Sequence, residues 1–203
     1  VVQFAGRDGR DKGLGSGFVI DSNGLVATNL HVIGEARPIT VTTYDGTVHK
    51  VIAIHATERA TDLAILKIDA KGLTPLSLGD SDKIRQGQPI VALGNPLGLK
   101  LSVVSGVVSG TRDIDGIPMI QLAVPIEEGN SGGPAIDRHG KVIGILTLKH
   151  RFTTNLGFAV PINALKPLIE KPNPIPSSRW LTIGALDDAD WRIHYGGRWR
   201  QRA

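Results

Sequence analysis

Cysteine is absent from the 203 residues, which excludes a disulfide scaffold, a thiol nucleophile and any cysteine-ligated zinc or iron–sulfur centre. The absence leaves the compartment open, because an oxidising location permits disulfides without demanding them. Aromatic residues make up only 4% of the chain, so any core is filled mainly by Val, Ile and Leu. No window approaches the roughly 18 consecutive apolar residues that a membrane-spanning helix needs. Neither sign of charge dominates: 23 Lys and Arg against 19 Asp and Glu leave +4. With a pI near 9.5 this is mild basicity, not by itself a nucleic-acid signature. Methionine occurs once, at Met119, and the chain opens at Val1. These two features read as a processed or excised piece of a longer product, one that leaves room for a removed signal peptide; no targeting segment is visible in the chain itself.

What is present is a soluble, globular composition: 41% apolar, 21% charged, 25 Gly and 12 Pro. A chain of this length buries a sizeable core without staples. Up to about residue 172 the apolar period is two rather than 3.6, in short β-branched runs cut by Gly, Pro, Asn and Asp. Strands are expected over Val1–Phe4, Ser16–Asp21, Leu25–Thr28, Ile39–Thr43, Val48–Ile54 and Leu63–Ile68. A second set is expected over Pro89–Leu93, Leu101–Ser109, Ile117–Ala123, Ala135–Ile136, Lys141–Leu146 and Leu156–Val160. Two groups of six, parted by Leu76 to Gln88, predict an all-β fold of two six-stranded antiparallel barrels, about 1–78 and 86–161. Ile162 to Glu170 reads as a short helix entered at Pro161. Pro167, Pro172, Pro174 and Pro176 then mark a stiff linker, with a boundary near 172. Beyond it, residues 177–203 hold five Arg, three Asp and all three Trp.

The most informative string is GNSGGP, Gly129 to Pro134. Its glycines suit a tight turn whose backbone must approach something closely, and such a turn can aim the N–H groups of Gly129 and Ser131 into one concavity fit for an oxyanion. An ordinary glycine-rich loop has the same composition, so the string alone settles little. A serine nucleophile needs a base and a group to hold that base. Of the six histidines, His31 alone follows a strand end at a turn, in TNLHVIG; His49, His55, His139 and His194 are read as surface or satisfied core residues. Asp62, in TDLAILKI, sits immediately before an apolar strand, where its carboxylate would be half-buried and able to receive an imidazole N–H. A strand-initiating Asp is common by itself. The conjunction is what counts, in the order His, Asp, Ser, spaced by 31 and 69 residues.

That conjunction resembles the trypsin-like serine proteases of the HtrA (Deg) family. GSGFVID at Gly15, TNLHVI at Thr28, DLAILKI at Asp62, ALGNPLG at Ala92, GNSGGP and LGFAVPI at Leu156 look like the family's blocks in the family's order, over residues 1 to about 170. The resemblance implies a protease domain over 1–172 that cleaves unfolded or misfolded polypeptides through an acyl-enzyme. His31, Asp62 and Ser131 are its implied triad, Gly129, Asn130 and Ser131 its oxyanion turn, and no cofactor or metal is implied. In the family's register Pro125 lies at the specificity-pocket floor, with Ile126 and Leu156 as apolar walls and Lys149 and His150 near the rim. It also implies an extracytoplasmic location, periplasmic or secreted, and assembly into homotrimers, which nothing local in this sequence supports. Three features depart from the family. Glu127 and Glu128 stand where Asn-Pro is usual, the family's N-terminal extension is missing, and 27 residues of tail are too few for its peptide-binding PDZ module. Asn130 occupies the position at which digestive relatives place the Asp that pairs with a new N-terminus, so activation by such an ion pair is not expected.

Two other readings are open to the sequence. One is a non-catalytic binding protein on a protease fold, disfavoured because all three triad residues are present. The other makes the tail a nucleic-acid or anionic-surface contact, with Arg179, Arg192, Arg198, Arg200 and Arg202 interleaved with Trp180, Trp191, Tyr195 and Trp199. Asp187, Asp188 and Asp190 interrupt that basic run and argue against it.

Overall fold

In a computed structural model the described residues are 2–4, 15–34, 39–95, 102–127, 129–147, 156–176, 192–194 and 198–200. The first barrel contains β1 (Val2–Phe4), β2 (Ser16–Asp21), β3 (Leu25–Asn29), β4 (Thr40–Thr42), β5 (Val48–Glu58) and β6 (Leu63–Ile68). Its order is β5-β4-β1-β2-β3-β6, and β6 pairs back onto β5 to close the ring. A two-residue strand, β7 (Ser77–Leu78), leads to the second barrel, of β8 (Pro89–Gly94), β9 (Ser102–Ile114), β10 (Ile117–Leu122), β11 (Pro134–Asp137), β12 (Lys141–Thr147) and β13 (Gly157–Pro161). These run β11-β8-β9-β10-β13-β12 and close through β11 and β12, so both predicted six-stranded rings are present. β7 adds in parallel outside β12.

Each barrel has its own aliphatic core. Val26, Val41, Ile54, Leu66 and Ile68 fill the first, and Ile90, Ile120, Leu122 and Leu146 fill the second. A third cluster joins the two, packing Phe18, Leu63 and Ile65 of the first barrel against Met119, Ile145 and Val160 of the second. Burying a side chain of this kind contributes about 1.5–3 kcal/mol, so the seam between barrels is as much core as the barrels themselves.

The structure differs from the sequence expectation at several elements. β9 runs to Ile114 instead of stopping at Ser109, because the reversal is made by Asp115 and Gly116, both at positive φ (55° and 79°). This is the Asp-Gly pair that a two-residue hairpin turn favours. The helix expected over Ile162–Glu170 divides into a 3₁₀ turn, Ile162–Ala164, and α2 (Lys166–Glu170), with Pro167 in the first turn where its missing N–H costs nothing. The proline-rich stretch after it is extended, as its composition requires, yet it is hydrogen-bonded. β14 (Ile175–Pro176) pairs with Ile54 and Ala53 along the part of β5 that lies beyond its pairing with β4. Asn173 secures it by accepting from Thr57 N at 2.8 Å and donating to Thr57 O at 3.0 Å. In the tail, β15 (Arg192–His194) and β16 (Arg198–Arg200) form an antiparallel pair. Arg179, Trp180, Trp191, Tyr195 and Arg202 lie outside the described residues.

His55, on β5, is half-buried and its Nε2 has no hydrogen-bond partner among the described residues. Burial, and then the Lys67 ammonium, hold its pKa below the ordinary value of 6.5. Below about 6.5 the unfolded chain therefore binds this proton more readily than the folded one, and stability falls as pH drops from there toward the depressed folded value. Thermal unfolding midpoints between pH 7.5 and 5 check this. His55→Gln flattens the acid slope, and an unchanged slope would contradict the assignment.

Candidate active site

His31 lies on α1 (Leu30–Gly34), a single turn that follows β3 directly. Leu30 and Ile33, three apart, are buried in the first barrel's core, and this anchors the turn with the His31 imidazole half-exposed between them. Asp62 comes from the turn between β5 and β6, and its backbone is left-handed (φ 58°), a conformation that Asp tolerates better than most residues. Its carbonyl accepts from Leu30 N at 2.9 Å and from Asn29 Nδ2 at 3.0 Å. Its carboxylate accepts from the backbone N of His31 through Oδ1 at 2.9 Å and meets the ring Nδ1 through Oδ2 at 2.6 Å. Four hydrogen bonds thus fix Asp62 to three consecutive residues.

The chemistry of this clasp follows from donor and acceptor counts. An ionised carboxylate only accepts, so the proton on the imidazole sits at Nδ1, and Nε2 keeps its lone pair as a base. The Asp62 side chain is 11% exposed and that of His31 29%, so the contact is partly shielded while the far edge of the ring remains reachable.

Ser131 is carried on a turn held from two sides. From the second barrel, Gly132 N donates to Leu146 O at 2.8 Å and Leu146 N donates to Gly133 O at 2.8 Å. Within the turn, Asn130 N donates to Glu127 O at 3.1 Å and Gly133 N to Asn130 O at 2.9 Å. From the first barrel, Ser16 N donates to Ser131 O at 2.8 Å, and the Ser16 hydroxyl donates to Gly129 O at 2.6 Å. Gly129 and Gly132 both have positive φ (98° and 85°), the conformation that selects glycine on either side of the serine. The N–H groups of Gly129 and Ser131 have no hydrogen-bond partner among the described residues. The Ser131 hydroxyl is buried and also unpartnered there. Catalytic hydrogen bonds are commonly long before substrate binds, so an unpaired hydroxyl beside a prepared base is compatible with nucleophilic chemistry.

The other site residues divide. Ile126 is half-buried and closes over Gly157, lying 2.6 Å from where a side chain on that glycine would begin. Leu156 is 36% exposed beside it. Pro125 is exposed, and Asn130 is buried with its Oδ1 unpartnered. Lys149 and His150 lie outside the described residues, as does Glu128. Sequence reasoning missed Ser16, whose sole local signal is a serine between two glycines at a strand start.

The profile of the family described as "Trypsin-like peptidase domain" matches residues 15–145. A Synechocystis protein named as serine protease HhoB is 38% identical over 173 residues, 80% of this chain. The chain belongs to the trypsin-like peptidase family, in its HtrA group. A Halomonas elongata protein named as a periplasmic DegP-like serine endoprotease is 41% identical over 160 residues, 75% of this chain. The HtrA-type domain spans 41% and 33% of the lengths of these two relatives, so it corresponds to less than half of either. Among solved structures, the HtrA-type protease AlgW with a decapeptide is similar with a TM-score of 0.71 and 35% identity, covering 78% of this chain and 52% of that one. The Yersinia pestis serine endoprotease gives 0.72 and 32%, covering 84% and 61%.

Proposed function

We propose that this HtrA-type domain is a serine endopeptidase that cleaves unfolded polypeptides through His31, Asp62 and Ser131. The observation that carries the reading is the double contact of Asp62 with the ring and backbone of His31, at 2.6 and 2.9 Å. It leaves Nε2 unprotonated and fixes the ring's direction. In the proposed reaction the Ser131 oxygen attacks a peptide carbonyl carbon and its proton passes to His31 Nε2. The resulting imidazolium is stabilised by the Asp62 carboxylate, which stays ionised. The N–H groups of Gly129 and Ser131 receive the oxyanion, with Asn130 between them shaping the turn. His31 returns the proton to the leaving amine, and water repeats the sequence to release the acyl group.

Specificity is proposed from the apolar surface next to the serine turn. Ile126 and Leu156 supply it, with Pro125 at its border, and none of them offers the carboxylate that a Lys or Arg side chain would require. Cleavage is expected after Val, Ile, Ala or Leu, with little after Lys or Arg. Digestion of casein by the parent and by Ser131→Ala, with the cleaved bonds identified by mass spectrometry, tests both parts. A map dominated by basic residues would refute the pocket, and an equal map from Ser131→Ala would refute the protease. An extracytoplasmic location is part of the proposal, since the Halomonas elongata relative carries "periplasmic" in its name. Homotrimer assembly enters only through the family resemblance. Among the described residues no helix is long and apolar enough to cross a membrane.

A further inference from the structure

We infer that Ser16 is a positioning residue for the amides that receive the oxyanion: its buried hydroxyl, bonded to the carbonyl of Gly129, sets the direction of the Gly129 N–H. The inference rests on the protease reading proposed above and goes beyond it to a residue of the first barrel.

Ser16 opens β2 and is completely buried. Its hydroxyl has one proton and two lone pairs. The proton goes to Gly129 O at 2.6 Å, and a lone pair accepts Asn95 N–H at 3.0 Å. One side chain therefore joins the first barrel, the serine turn and the chain leaving β8, partners 113 and 79 residues away. The Ser16 backbone adds two further bonds. Its N–H holds Ser131 O at 2.8 Å, and its carbonyl accepts the Thr28 hydroxyl at 2.7 Å, three residues before His31.

The consequence for the two free amides is geometric. The Ser131 N–H shares a trans peptide with Asn130 O, which accepts from Gly133 N at 2.9 Å, so the amide points the opposite way. That half of the site is fixed inside the turn. The Gly129 N–H has no such lock, because glycine allows wide rotation about its own φ and ψ. What is anchored at Gly129 is its carbonyl, and the anchor is Ser16. Alanine at position 16 would keep both backbone bonds and lose only this one, leaving the serine on its turn with the Gly129 peptide free to rotate. A preorganised donor is worth most when it needs no reorganisation as charge develops, so the loss falls on the transition state and spares ground-state binding.

The test uses the whole chain, with active sites counted by fluorophosphonate titration. Per titrated site, Ser16→Ala should lower kcat on a peptide substrate about 10- to 100-fold with KM within about twofold, a fraction of the loss typical of deleting an oxyanion donor outright. A peptide boronate, whose tetrahedral adduct places an oxygen in the oxyanion position, should bind more weakly by the same factor. Ser16→Cys, with a weak S–H donor, should fall between, and it carries the test if Ser16→Ala does not fold. Unchanged kcat and boronate affinity per titrated site, whatever happens to the melting temperature, would overturn the inference and leave Ser16 a structural residue. A parent protein that neither labels nor cleaves would instead overturn the protease reading, and this inference with it.

Discussion

Ser131→Ala and His31→Ala each lose essentially all turnover, about 10⁶-fold in kcat, and the double variant loses little more. The expectation follows from the way the groups act as a unit: without the base the hydroxyl stays protonated, and without the hydroxyl the base has nothing to activate. Asp62→Asn is the more informative change. It leaves the shape of the clasp nearly intact, but an amide can donate as well as accept and turns its NH₂ toward the ring. The ring then presents Nδ1 as the acceptor and carries its proton on Nε2, the wrong nitrogen for taking a proton from Ser131. The expected cost is about 10⁴-fold in kcat. Because Asp62 also accepts the backbone N–H of His31 at 2.9 Å, the same variant disturbs the entry to α1. Steady-state rates on a peptide substrate, with folding checked by circular dichroism, measure all three. Asp62→Asn within tenfold of the parent would mean that the carboxylate does not set the tautomer.

Gly132→Ala is expected to lower stability by about 3 kcal/mol and to cost catalysis at least a hundredfold. A Cβ at this position would lie 2.1 Å from Ser16 O and 2.3 Å from Thr28 Oγ1, and the residue has φ +85°. The left-handed backbone accounts for roughly 1–2 kcal/mol and overpacking for about another 1–3. No side-chain rotation relieves the clash, because Ser16 O belongs to β2 and is already bonded to Thr28. The serine turn must therefore move away from the first barrel, which carries His31. A loss of this size lowers the melting temperature by about 6–12 °C in a chain this long. Gly140→Ala is the control: its φ is +74° with nothing within 4 Å, so it bears the backbone penalty alone. Calorimetry on the two variants separates close approach from conformation, and equal losses would show that the contact with Ser16 is not rigid.

The two barrels and the triad were legible because each has a local signature. Alternating Val, Ile and Leu between turn residues marks strands one at a time, and His31, Asp62 and Ser131 each stand in a short string whose neighbours restrict the backbone. What the sequence concealed is long-range or too short for a period. α1 is a five-residue turn, less than two helical repeats, so TNLHVIG reads equally well as the end of a strand. β14 looks like a linker because prolines rarely enter sheets, yet an outer edge strand is the place that tolerates them. β9 was cut short at Gly110 because Thr111, Arg112 and Asp113 resemble a loop, although the turn lies five residues further on at Asp115 and Gly116. Ser16 showed no mark of its contact with Gly129, since nothing local records a partner 113 residues away. The specificity surface was legible only as apolar character. Ile126 was placed beside the site, while its closure over Gly157 emerges from the packing of β13 against the serine loop.

Fluorophosphonate labelling of Ser131, followed by peptide mapping, tests the central claim most directly. A single phosphonyl adduct on Ser131, formed at least about a hundred times more slowly when His31 is changed to alanine, is the result this account predicts. An adduct on another serine, or equal labelling of the parent and His31→Ala, would contradict it.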